Sequence, residues 1–380
     1  MHSVVLPDAL AENLSNGQPD WYCPLTCADV EGAHVAKKLG FACLGIAMLF
    51  IVGAALSKWY AYPRLALAVI DRDTTDTPAV ASGSDATYLD RHQERPQIVT
   101  GGELESVRKV VGQVDDSESA SDELGEEIAV YETLSYTDVP GFDPTTDGDP
   151  LTATFDRIAF DRHTAELVDC CDSYTEFNGV RKEVDFDGLY LKFPFHTEKK
   201  DYEFWDTTLQ KATPIRYEGE EEIQGLTVYK FVQTIEPTDV DLQTAGTEHI
   251  PVPGYLVGGA EDSPAAEADR IYANVRTVWI EPETGTIIDA QEEQHSTLEV
   301  DGVEKAVITD VTLKYTDDTV SFNVGEWEDE AFQLKLLRVW IPLFGGIAGF
   351  VLLVLGGVLL WRNERPRGRR IAEDREVVAA

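Results

Sequence analysis

Apolar residues fall into two unbroken runs near the ends of this chain, with a long stretch of alternation between them. The first run, Leu39–Ser57 (LGFACLGIAMLFIVGAALS), is flanked by Lys37, Lys38 and Lys58; the second, Val339–Trp361 (VWIPLFGGIAGFVLLVLGGVLLW), by Arg338 and Arg362. About 20 consecutive apolar residues cross the hydrocarbon core of a bilayer as a helix. A core helix of a soluble protein carries a polar face, and neither run has one. The pattern predicts transmembrane helices over 39–57 and 338–361.

Between them, from Leu151 onward, apolar and polar residues alternate and turn residues punctuate the runs, which is the signature of antiparallel strands. Gly188–Phe193, Leu226–Val232 and Val275–Ile280 are rich in β-branched and aromatic residues. Asp301-Gly302 sits between Thr297–Val300 and Val303–Ile308, the layout of a tight hairpin. The acidic stretch Asp115–Glu127 and the Pro- and Gly-rich stretch 237–269 are expected to be loops. Ile158–Asp169 resembles Val278–Asp289 at an offset of 120 residues, with Thr164 matching Thr284. A duplicated β-unit accounts for this echo; chance likeness between two ordinary meanders is the alternative. The expected fold is mainly β (α+β): an antiparallel curved sheet or sheets over 58–337, flanked by the two helices. A curved sheet of that kind can enclose an apolar cavity.

Flanking charge sets the expected orientation. Residues 362–380 form a tail with Arg362, Arg365, Arg367, Arg369 and Arg370, and Lys37 and Lys38 close the lead, 1–38. Short basic flanks stay in the cytoplasm. Both termini are therefore expected inside the plasma membrane, with 58–337 extracytoplasmic. A cleaved signal peptide is the competing reading of the first run, but 36 residues precede its lysines, too many for an n-region. Nearly all of the formal net charge of −38 belongs to the middle: 60 acidic against 23 basic residues between Leu39 and Trp361. Such a surface repels nucleic acid, and its simplest role is solubility.

Little chemistry is legible. No nucleophile elbow, Walker loop, dinucleotide turn or HExxH signature occurs in 58–337, so no enzyme activity and no catalytic residue is expected. The histidines are scattered without metal-ligand spacing, and no metal or cofactor is expected. Asp143–Asp149 lacks the order of a calcium loop and reads as a solvated turn. Cys23 and Cys27, at a CxxxC spacing, could hold zinc with His2 and His34, but a properly spaced second half of the ligand set is missing. Cys170 and Cys171, redox or structural thiols, have only each other or another chain to pair with. With no histidine or second pair near them in sequence, a structural or unpaired role is the simpler expectation.

Tyr190, Phe193, Phe195, Tyr202 and Trp205 form the most aromatic exported stretch and are the candidate lipid contacts, lining a groove. Ordinary core packing is the alternative. In the second run, Gly345, Gly349 and Gly356 permit close helix packing, on the first helix or on a second copy in a homo-oligomer.

Particular words of the chain resemble an actinobacterial family of two-span cell-envelope proteins labelled porin-A-like. They are Tyr62-Pro63-Arg64-Leu65, Asp161-Arg162-His163-Thr164 with Cys170 following, Lys192-Phe193-Pro194-Phe195 running to Trp205-Asp206, Tyr217–Glu221, and Trp279–Gly285. The likeness covers roughly Lys38 to Arg365. Cys171, the long lead, and Ala165 in place of an expected glycine depart from it. It implies an envelope protein of a high-G+C Gram-positive bacterium, with members linked to lipoglycan maturation and lipid binding, and no catalytic residue to carry over. The leading expectation is an envelope protein whose exported domain binds a membrane lipid or lipid-linked glycan and supports lipoglycan assembly. A scaffold recruiting envelope glycosyltransferases is the alternative, and a porin-like channel component the third reading.

Overall fold

This computed structural model describes residues 25–364, and the side chains of 34–362. The possible zinc ligands His2 and Cys23, and the basic tail from Arg365, lie outside the described residues. Helices α1 (Leu25–Leu56) and α6 (Ile341–Glu364), up to residue 54 and from residue 343, form one compact unit, and residues 55–342, which include the short α2 (Tyr62–Leu65), form another.

Both helices are long and apolar enough to cross a membrane. They present Phe41, Met48, Leu49, Phe344 and Phe350 outward, as lipid-facing surfaces do. They meet through glycine. A Cβ on Gly349 would approach Ile51 Cγ1 to 2.6 Å, one on Gly345 the Ala54 Cβ to 3.3 Å, and one on Gly356 the Gly40 carbonyl to 2.9 Å. The glycine face is thus occupied by α1 of the same chain, whereas Gly346 and Gly357 face open space.

In the second unit the alternation becomes fourteen strands in one curled antiparallel sheet. The first half holds β1 (Ala79–Asp90), β2 (Gln97–Gly112), β3 (Ile128–Asp138), β4 (Thr152–Asp161), β5 (Leu167–Val168), β6 (Tyr174–Phe177) and β7 (Val180–Lys182). The second holds β8 (Tyr202–Asp206), β9 (Lys211–Ile223), β10 (Leu226–Asp239), β11 (Ile250–Val252), β12 (Ala266–Glu281), β13 (Thr286–Val300) and β14 (Val303–Tyr315). Their order is β7-β6-β4-β3-β2-β1-β14-β13-β12-β10-β9-β8, with β5 on β4 and β11 on β12. Each half is an up-and-down meander of six main strands, and the halves join where β1 pairs β14.

The halves repeat in detail. The turn after β4 is built on Asp161, whose Oδ1 accepts from the backbone of His163 and Thr164 and from the Thr164 hydroxyl. The turn after β12 is built on Glu281, which accepts in the same way from Glu283 and Thr284. Ala165 (φ 58°) and Gly285 (φ 73°) hold the same left-handed position. Gly285 packs so tightly on the Phe193 carbonyl that a Cβ there would collide with it. Ala165 occupies the strained position with a methyl group.

Segment 186–195 bridges the outer ends of the sheet. Leu167 N–H donates to the Gly188 carbonyl at 2.8 Å, and Trp205 N–H to the Leu189 carbonyl at 2.7 Å, so this segment pairs with β5 on one side and β8 on the other. Phe186 and Tyr190 pack with Tyr131, Ile158, Phe160 and Trp205; Leu189 and Phe193 pack with Phe204, Phe231 and Ile280. Each such buried side chain contributes about 1.5–3 kcal/mol by leaving water.

Asp115–Glu127 is largely not a loop. Val114–Leu124 form helix α3, followed by Gly125 in the left-handed conformation. Asp115 and Asp116 suit the positive end of its dipole. The serines dock it: Ser117 Oγ accepts from Val130 N–H at 2.8 Å and Ser121 Oγ from Ile128 N–H at 3.0 Å, both on β3. Polar composition concealed a helix whose buried face is held by hydroxyl groups. Stretch 237–269 is mostly connection, broken by the short α4 (Asp241–Thr244) and β11. Helix α5 (Asp317–Lys335) is capped by Thr316 Oγ1 and continues through 336–340, where Arg338 forks onto Glu283 at 2.9 and 2.6 Å.

Candidate functional site

The concave face of the sheet encloses a cavity of about 500 Å³, within the range of small-ligand sites. Alternation along the strands decides what faces it. On β14, Val311 and Leu313 point in and are buried, while Asp310, Thr312 and Lys314 are exposed. Leu104 on β2 joins these apolar residues, together with Ala86 and Leu151.

Elsewhere the wall is polar and cationic. Four arginines and one glutamate line the cavity of a strongly acidic protein: Arg91, Arg108, Arg270, Arg276 and Glu292. Arg276 on β12 is nearly buried and saturated. Its Nε donates to Glu292 at 2.8 Å and one terminal nitrogen to Asp206 at 3.1 Å, while the other donates to Gln233. Burial opposes the charge on both partners of the Arg276–Glu292 pair. Their attraction outweighs it, holding Glu292 down at about 2 and Arg276 above its ordinary value.

Arg108 and Arg270 are different. Among the described residues Arg108 makes one side-chain hydrogen bond, Nε to Ser135 Oγ at 2.8 Å, and its terminal N–H groups have no partner there. It lies 5.6 Å from the Tyr190 ring centroid. The Arg270 guanidinium has no side-chain hydrogen bond, its Nε is buried without a partner, and Phe177 stacks 5.5 Å away. Burial pulls the Arg270 pKa below its ordinary value. The buried Nε–H of Arg270 is costly unless something else supplies an acceptor.

Of the aromatic residues expected to line a groove, the structure brings Tyr190 to the cavity wall, where its hydroxyl donates to Asp156 at 2.7 Å. Burial and the Asp156 carboxylate raise the Tyr190 pKa well above its ordinary value, and burial lifts Asp156 to about 6. The other four lie outside the lining of this cavity. Phe193 and Trp205 are 0% and 1% exposed, sealed in the seam that closes the sheet. Phe195 and Tyr202 pack against the same two clusters, away from the cavity. Large aromatic area was more useful as mortar than as a ligand surface.

Cys170 and Cys171 are not unpaired. They are joined to each other as a vicinal disulfide, packed against the cluster of Ala120, Ile128, Val130 and Ala159 that seats α3. Sequence reasoning missed the arginines and Glu292. Their signal was present as spacing: Arg270, Tyr272, Asn274 and Arg276 on β12, and Glu292, Gln294 and Ser296 on β13, place polar groups at every second position, on the face a closed core would fill with apolar ones.

Fold and site together define a class: a chain with two apolar helices and a curled, internally repeated antiparallel sheet around a cation-lined cavity. The family model described as Porin PorA matches residues 39–358, and the chain belongs to that family. Relatives include a Porin PorA of Corynebacterium resistens, 27% identical over 57% of this chain and 68% of its own length. A Porin PorA of Corynebacterium amycolatum is 28% identical over 54% of this chain and 62% of its own.

Proposed function

We propose that this protein is anchored in the plasma membrane by α1 and α6, with both termini cytoplasmic, and that the cavity of its extracytoplasmic sheet binds one amphiphile, a membrane lipid or lipid-linked glycan. The observation that carries the reading is the pairing of an apolar wall (Leu104, Val311, Leu313) with two arginines that keep N–H groups without an acceptor among the described residues, the terminal nitrogens of Arg108 and the Nε of Arg270. An acyl or polyprenyl chain suits the first, and a phosphate or carboxylate suits the second. In the envelope such a protein would present or carry its ligand for lipoglycan assembly.

Purified full-length protein, extracted with organic solvent and analysed by mass spectrometry, is expected to yield about one amphiphile per chain. Arg108→Gln and Arg270→Gln together should lower that yield severalfold with the sheet intact by circular dichroism. An equal yield from the variant contradicts the reading, and a co-purified glycosyltransferase in place of lipid supports a scaffold.

The name of the relatives, Porin PorA, favours a second reading, a channel component. Strands that cross a membrane turn apolar residues outward, whereas β13 and β14 here expose Glu293, His295, Asp310 and Lys314. The two helices carry no charge within their apolar runs and do not line a water-filled path on their own. A channel therefore requires assembly of several copies, and steady conductance of the purified protein in planar bilayers would support it.

A further inference from the structure

The connection that leaves β10 and returns as β12 carries three carboxylates outside the cavity's own network. Asp239 ends β10, Asp241 opens α4 and Asp269 lies on β12. One oxygen of each lies within 4.8 Å of the other two. Each carboxylate commits one oxygen to a local donor: Asp239 Oδ1 to the Asp241 N–H at 3.0 Å, Asp241 Oδ2 to the Arg270 N–H at 3.1 Å, and Asp269 Oδ1 to the His249 ring. The second oxygen of Asp241 is the informative atom. Asp241 is 0% exposed, and its Oδ1 is buried with no hydrogen-bond partner. The guanidinium of Arg270, next along β12 from Asp269, does not close onto it: Arg270 bonds Asp241 through its backbone alone. The Arg270 charge offsets part of the cost of this buried carboxylate, and burial with the neighbouring Asp239 and Asp269 still raises its pKa to about 6, so a bound cation on the three carboxylates would stabilise its charged form.

We propose that Asp239, Asp241 and Asp269 bind one hard divalent cation of the calcium class. Oxygens no more than 4.8 Å apart fit around one ion with bonds of about 2.4 Å. An all-carboxylate set selects such an ion over thiophilic metals. Water and backbone carbonyls complete the seven or so ligands that calcium takes. The ion ties the end of β10 to β12 across α4, and thereby fixes the segment that supplies Thr244, Ala245 and Ile250 to the cavity wall.

Full-length protein in detergent, stripped with chelator and titrated with CaCl2 by calorimetry at constant ionic strength, tests this. One saturable calcium per chain is expected, with a rise in Tm of several degrees. Asp241→Asn should abolish both. Asp239→Asn, at an exposed position that keeps the fold safe, should weaken binding by at least about tenfold. Asp310→Asn, an exposed carboxylate on β14, should leave it unchanged. Absence of saturable calcium binding overturns the proposal. So does equal affinity in Asp239→Asn and Asp310→Asn, which would reduce the effect to diffuse attraction by an acidic surface. Neither result bears on amphiphile binding in the cavity, which is measured without added calcium.

Discussion

At the scale of single residues, Lys192 shows how far the seam departs from ordinary packing. Its Nζ is buried without a hydrogen-bond partner, 3.8 Å from the Phe195 ring centroid. Burial lowers its pKa from 10.5 to about 7, and the attraction of Glu330 and Asp161 restores only part of the loss. Between those two values the unfolded chain holds a proton that the folded chain has released. Stability attributable to this residue therefore rises with pH from about 7 to about 10.5, and the full penalty applies below 7. Lys192→Met is expected to remove that slope and to raise stability at pH 6 by on the order of 2–4 kcal/mol. Denaturant melts at pH 6 and pH 9.5 check this, and an unchanged slope would show that the amine is solvated. The sequence marked Lys192 only as part of a resemblance motif, where it reads as an ordinary polar residue of a strand, and its burial shows only in the folded chain. The same holds for Arg108 and Arg270, whose missing acceptors exist only in three dimensions. The three aspartates proposed to hold calcium are likewise spread over 239–269, a spacing that matches no ligand motif.

At the scale of elements, what could be read locally was read. The apolar runs became α1 and α6 because length and composition decide that question by themselves. The Asp301-Gly302 hairpin joins β13 to β14 with Val300 paired to Val303. The likeness of 158–169 to 278–289 became two turns with the same carboxylate bonds and two meanders in the same order. Helix α3 was illegible because its buried side is Ser117 and Ala120 rather than a Leu or Ile stripe, and its docking partners lie on β3. The glycine positions of α6 were legible, but not which partner they face. Since Gly349 packs on Ile51 and Gly346 on nothing, Gly349→Leu should lower the Tm of the detergent-solubilised protein while Gly346→Leu leaves it unchanged. The reverse ranking would place the packing face on another chain.

At the scale of the whole molecule, charge is arranged in two layers. The chain as a whole carries a net charge of −38, while four arginines and a single glutamate line the cavity. An acidic exterior keeps a body near the membrane soluble and repels headgroups, whereas a cationic interior rewards one anionic group that enters. The reading requires that body to lie across the membrane from both termini, so a protease site or enzymatic reporter placed at residue 200 should be accessible in intact cells. Cytosolic placement would remove the envelope role.

The most direct test of the central claim is native mass spectrometry of the full-length protein released from detergent, side by side with Leu104→Trp, which fills the apolar half of the cavity. A single adduct of amphiphile mass is expected on the unaltered chain and a bare chain for the variant. A bare unaltered chain, or an adduct that survives the blocked cavity, would contradict the claim.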